Sequence, residues 1–109
     1  MKDGLYSVGF QTQIGIGGGV LYKEGDTVRG GDGAYAWFGK IDNDGNSLFG
    51  NLQVVKHSDS MTSVFGPLSN FALSFNGTAT DTSATLNATT PSAPGVTMKA
   101  TLKLIREGI

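Results

Sequence analysis

Apolar and polar residues alternate with a period of two along most of this chain. Near the C-terminus, Val96, Met98, Ala100, Leu102 and Leu104 alternate with Thr97, Lys99, Thr101 and Lys103. Phe71, Leu73 and Phe75 alternate with Ala72, Ser74 and Asn76, and Tyr6, Val8 and Phe10 with Ser7, Gly9 and Gln11. Ala84, Leu86 and Ala88 make a further row, as do Tyr35, Trp37, Gly39 and Ile41, and then Leu48, Gly50, Leu52 and Val54. Successive side chains of a strand point to opposite faces, so each row predicts a strand with one buried face. No stretch repeats its apolar positions at helical spacing between caps.

Turn chemistry falls between the rows. Glu24-Gly25-Asp26 separates strands predicted at Val20–Lys23 and Thr27–Gly30. Asp42-Asn43-Asp44-Gly45 separates Ala34–Ile41 from Ser47–His57, and Thr80-Asp81-Thr82 and Pro91–Gly95 break the later strands. Gly25 supplies the positive φ that a tight hairpin turn demands. Gly15 to Gly19 reads as a loose hairpin tip and Ser58–Asn70 as an irregular crossing loop. About eight antiparallel strands with hairpin-length links predict an all-β, small antiparallel up-and-down barrel, with a sandwich as the alternative. Closing the sheet removes exposed edges. Within strands, Gly9, Gly39 and Gly50 permit the sharp coiling of a small barrel.

Composition narrows the function more than the fold. The chain has 109 residues, 17 of them glycine, with no cysteine, one histidine and a net charge of −1. That length predicts one domain, residues 1–109. Without cysteine there is no disulfide, thiolate metal site or thiol nucleophile. Near-neutral charge argues against direct nucleic-acid binding, which needs clustered cations. The longest apolar runs are too short for a secretory signal or a membrane span, so the expected location is cytoplasmic.

Three segments invite a catalytic or metal-binding reading, and each lacks a required residue. Gly15-Ile16-Gly17-Gly18-Gly19 is followed by Val20 where a dinucleotide fingerprint needs glycine, and by no predicted helix. Asp42-Asn43-Asp44-Gly45-Asn46 resembles the start of a calcium loop, but its sixth position is Ser47 and its twelfth Gln53, where glycine and glutamate belong. His57 has Asp59 nearby, yet no Gly-x-Ser-x-Gly elbow presents a serine to it. The sequence therefore predicts no catalytic residue, no metal and no cofactor. The inward set mixes large groups (Tyr6, Phe10, Trp37, Phe75, Leu102) with small ones (Gly39, Gly50, Ala84, Ala88, Ala100). Small residues can either let the rings pack or leave a pocket for an apolar, lipid-like small molecule; an eight-stranded interior suits both.

The opening Met1-Lys2-Asp3-Gly4-Leu5-Tyr6-Ser7, the run Gly19 to Asp32 with its Gly30-Gly31-Asp32 element, Trp37-Phe38-Gly39, Ser63-Val64-Phe65-Gly66 and the last strand to Ile105 together form a pattern. It resembles the GrlR-like family, negative regulators of type III secretion genes. The resemblance implies a lipocalin-like barrel with an apolar interior, commonly a homodimer. It also implies a regulator that sequesters a helix-turn-helix activator protein rather than binding DNA. In that family an acidic Glu-Asp-Glu-Asp run is associated with the contact; the corresponding residues here are Asp42, Asn43 and Asp44, followed by Gly45. Two of the four carboxylates are thus retained. The chemistry open to Asp32 is structural, accepting hydrogen bonds from backbone amides of its own turn. The leading expectation is a non-catalytic, protein-binding regulator; the alternative is a carrier or sensor of a small hydrophobic ligand.

Overall fold

Each row of apolar residues becomes the inner face of one strand, save that Val96 lies just ahead of the last strand. The structure, a computed structural model, describes residues 1–108. Its strands are β1 (Gly4–Gln11), β2 (Ile16–Glu24), β3 (Thr27–Gly31), β4 (Tyr35–Asp44), β5 (Ser47–Lys56), β6 (Asn70–Ala79), β7 (Ser83–Thr89) and β8 (Met98–Glu107). Every strand pairs antiparallel with its sequence neighbours, and β8 returns to β1, closing the barrel. Among the described residues there is no helix, and so none long and apolar enough to cross a membrane.

The register brings the rows together. Tyr6 lies opposite Leu21, Trp37 opposite Val54, Leu52 opposite Leu73, and Phe75 opposite Ala88. The rows thus join into one continuous inner surface, buried from Tyr6 through Leu102. The barrel rather than the sandwich forms because consecutive strands are joined by links that keep neighbours adjacent.

Two hairpins turn on two residues each, Gly25-Asp26 and Gly45-Asn46, with φ of 61° at both glycines. A positive φ at the first central residue is the type II′ arrangement, whose twist matches that of the flanking strands. This tight turn corrects one sequence expectation. Asp42, Asn43 and Asp44 are not turn residues but the last three of β4, paired with Phe49, Leu48 and Ser47. A second correction concerns the glycine run. Gly17, Gly18 and Gly19 are ladder residues of β2, paired with Phe10, Gly9 and Val8, and the hairpin tip is only Thr12–Gly15.

The β2–β3, β4–β5 and β6–β7 turns and the N-terminus share one end of the barrel, and this end is plugged. Tyr6 has no exposed surface, and its hydroxyl donates to the carbonyl oxygen of Lys2 at 2.5 Å, with the Asp81 carbonyl a weaker second acceptor at 3.4 Å. Asp3 accepts from Lys23 Nζ at 3.0 Å and from the Gly25 amide at 3.1 Å, and these bonds hold its carboxyl below the ordinary 3.8.

Burial first, and then the charges of Asp3, Asp81 and Glu107, push the Tyr6 phenol above its ordinary 10.0. Tyr22 is shifted in the same direction, by burial first and then by Glu24. An acid whose folded pKa is raised contributes stability that is complete below its unfolded value and is lost as pH climbs through the folded one. The urea midpoint is therefore expected to fall from about pH 10 upward. Tyr6→Phe should lower stability at neutral pH by about 1 kcal/mol, through its lost hydrogen bonds, and make the alkaline fall shallower. An alkaline limb identical to wild type would remove Tyr6 as its cause.

Candidate functional site

Inside the barrel, aromatic rings lie against glycines instead of filling the centre. A Cβ on Gly17 would stand 2.6 Å from the Phe10 ring, one on Gly19 2.7 Å from the Trp37 ring, and one on Gly50 2.6 Å from the Phe75 ring. Each ring takes the space its glycine leaves on the wall. Phe10 and Trp37 then meet edge to face at 5.6 Å and 80°, an arrangement favoured by the ring quadrupoles. With its large rings drawn to the wall, the barrel keeps an internal cavity of about 110 Å³.

Phe10, Trp37, Phe75 and Leu102, all named from the sequence as cavity residues, line this space. Tyr6 does not. It sits below the cavity in the plugged end, because its hydroxyl is drawn to the backbone carbonyls there. Of the small residues in the inward set, Ala88 and Ala100 also line the cavity, whereas Gly39, Gly50 and Ala84 do not.

The open end carries the other four connections. Here Ile16 and Met61 line the cavity while remaining 81% and 48% exposed, forming an apolar rim. The long β5–β6 connection, residues 57–69, crosses this mouth as a strap. Met61 to Phe65 of the strap line the cavity, with Phe65 inserted edge to face on Phe71 at 5.7 Å. Tyr35 pins the strap from β4: its hydroxyl donates to the Leu68 carbonyl at 2.7 Å and accepts from the Ser63 amide at 3.1 Å. Thr12 of the neighbouring loop donates to the Val64 carbonyl. The sequence predicts only an irregular crossing loop here, because irregular backbone has no period to announce which side chains point inward.

Asp32 behaves as expected for a turn residue, its Oδ1 accepting from the Ala34 and Tyr35 amides at 2.9 and 2.8 Å. It also lines the cavity mouth, which the sequence did not reveal. His57 is exposed, and its Nε2 hydrogen-bonds the Asp32 carbonyl at 3.0 Å; as a carbonyl only accepts, the imidazole donates. Among the described residues no serine hydroxyl bonds to this ring.

Asp42, Asn43 and Asp44 are far from the mouth, at the turn end of β4, and all three are exposed. Strand alternation puts Asp42 and Asp44 on the outer face and Asn43 on the other. Among the described residues neither carboxylate forms an ion pair. No three His, Asp or Glu side chains gather into a metal site among those residues.

No family model matches this chain, and no curated protein matches it.

Proposed function

We propose that this protein is a non-catalytic binding barrel whose interior takes a small apolar molecule, as a carrier or sensor. The supporting observation is the cavity of about 110 Å³, walled by apolar side chains and reached through the rim of Ile16 and Met61. Its size is somewhat below the roughly 150 Å³ of an apolar protein cavity that stays dry and accepts benzene. The fitting ligand thus has an apolar body of at most about six carbons.

Trp37, the one tryptophan, lines the cavity and reports on its contents. Titration with benzene or a short-chain alcohol is expected to change its emission. Ala100→Leu fills part of the cavity from its wall and should weaken that response at least about tenfold while the protein stays folded, since a void receiving apolar atoms regains lost contacts. A wild-type emission that stays constant through the titration would reject the reading.

A second reading has its own support. Asp42 and Asp44 form an exposed pair of carboxylates on one face of β4, without cationic partners in the described chain. Together with the resemblance to the GrlR-like family, they favour a regulator that docks a basic surface of an activator protein. Capture of partners from cells of the source organism, by wild type and by Asp42→Ala/Asp44→Ala, tests it. An unchanged set of partners would remove these residues as the contact.

A further inference from the structure

Among the described residues one charged side chain, Asp32, lines the cavity, and it stands at the mouth. Oδ1 of this carboxylate is occupied by the Ala34 and Tyr35 amides. Among the described residues the other oxygen accepts no hydrogen bond, and no cation stands within ion-pair distance of either. Since no buried side-chain oxygen among the described residues lacks a partner, this free oxygen is reached by solvent, on a residue that lines the mouth. On this side Lys56 pairs with Asp59 at 3.4 Å, the His57 ring bonds the Asp32 carbonyl, and Lys99 at the start of β8 forms no ion pair among the described residues. Thr62 and Ser63 add hydroxyls at the same level. The interior is thus an apolar well with one carboxylate at its mouth.

We propose that Asp32 makes the barrel select short amphiphiles whose head donates a hydrogen bond, an ammonium or a hydroxyl, and reject those headed by a carboxylate. This rests on the reading of the barrel as a small-ligand binder. The apolar body enters between Trp37, Phe75 and Leu102, and the head meets the free oxygen of Asp32 in the mouth. A hydrogen bond to a charged acceptor in a partly dry site strengthens binding of a donor head. A second carboxylate at the same place meets like-charge repulsion and loses its own hydration without recompense.

Hexylamine, hexanol and hexanoate share one apolar body and differ only in the head. Titrated at pH 7 against wild type and followed by Trp37 emission, hexylamine and hexanol are expected to bind at least about tenfold more tightly than hexanoate. Asp32→Asn keeps an oxygen for the Ala34 and Tyr35 amides while removing the charge. It should melt close to wild type and bring the three ligands within about threefold of one another. If hexanoate binds wild type as tightly as hexylamine, or if the discrimination survives Asp32→Asn, the selectivity assigned to Asp32 is wrong and the ligand reading stands. If none of the three changes the emission, the ligand reading fails and takes this inference with it.

Discussion

Gly39→Ala is expected to destabilise the protein by about 3 kcal/mol, lowering the melting temperature by roughly 10–20 °C. A methyl group at Gly39 would collide with the carbonyl oxygen of Asn51 and stand 3.0 Å from the Leu52 Cα. Both obstacles are backbone of the neighbouring strand, so no side-chain rotation relieves them, and β4 and β5 would have to separate. Gly77→Ala meets the same obstruction from the Thr85 carbonyl on β7 and should behave alike. Gly9 is the control: it also lies within a strand, but a methyl there has nothing within 4 Å. Gly9→Ala should leave stability unchanged or raise it by about 0.5 kcal/mol, because alanine restricts the unfolded chain. Thermal melts of the three variants decide the matter. Equal effects at Gly39 and Gly9 would mean that these glycines are tolerated rather than required by tight coiling of the barrel wall.

The fold was legible because its signals are local and repeated. Rows such as Phe71, Leu73 and Phe75 carry the period of two, and Gly25 and Gly45 mark hairpins by the backbone they permit. The glycine run from Gly17 to Gly19 misled because glycine has no side chain with which to show a face. Its place in β2 is given by backbone pairing with Phe10, Gly9 and Val8 of β1, while the Phe10 and Trp37 rings lie over Gly17 and Gly19. Asp42 to Asp44 misled for a related reason. Polar residues signal a turn by composition, yet a two-residue turn at Gly45-Asn46 lets the ladder run through them. The site was half legible. Phe10, Trp37, Phe75 and Leu102 follow from strand alternation, whereas Asp32 and Met61 to Phe65 reach the mouth through loop geometry, which leaves no periodic trace.

Phe65→Ala should detach the strap and leave the barrel standing. The ring is 4% exposed and packs on Phe71 at 5.7 Å, while Phe71 itself meets Tyr35 at 6.3 Å. Removing a buried phenylalanine ring costs about 3 kcal/mol. Here the loss falls mainly on closure of the strap, because the strand ladders do not run through Phe65. Amide exchange at Ser63 and Leu68, whose N–H groups bond Tyr35 Oη and the Gly66 carbonyl, is expected to quicken about a hundredfold. Exchange at Val8 and Leu102, in the β1–β8 ladder, should change far less. A ligand held in the cavity should leave correspondingly faster, since Met61 to Phe65 stand between it and the solvent. Phe38→Ala is the reference: Phe38 is 47% exposed on the outer face, and its loss should leave both classes of amide nearly unchanged. Uniformly faster exchange through every strand after Phe65→Ala would show that the ring supports the barrel as a whole. Release of ligand would then depend on unfolding of the barrel, whereas a strap held mainly by Phe65 lets the mouth open while the eight strands stay closed.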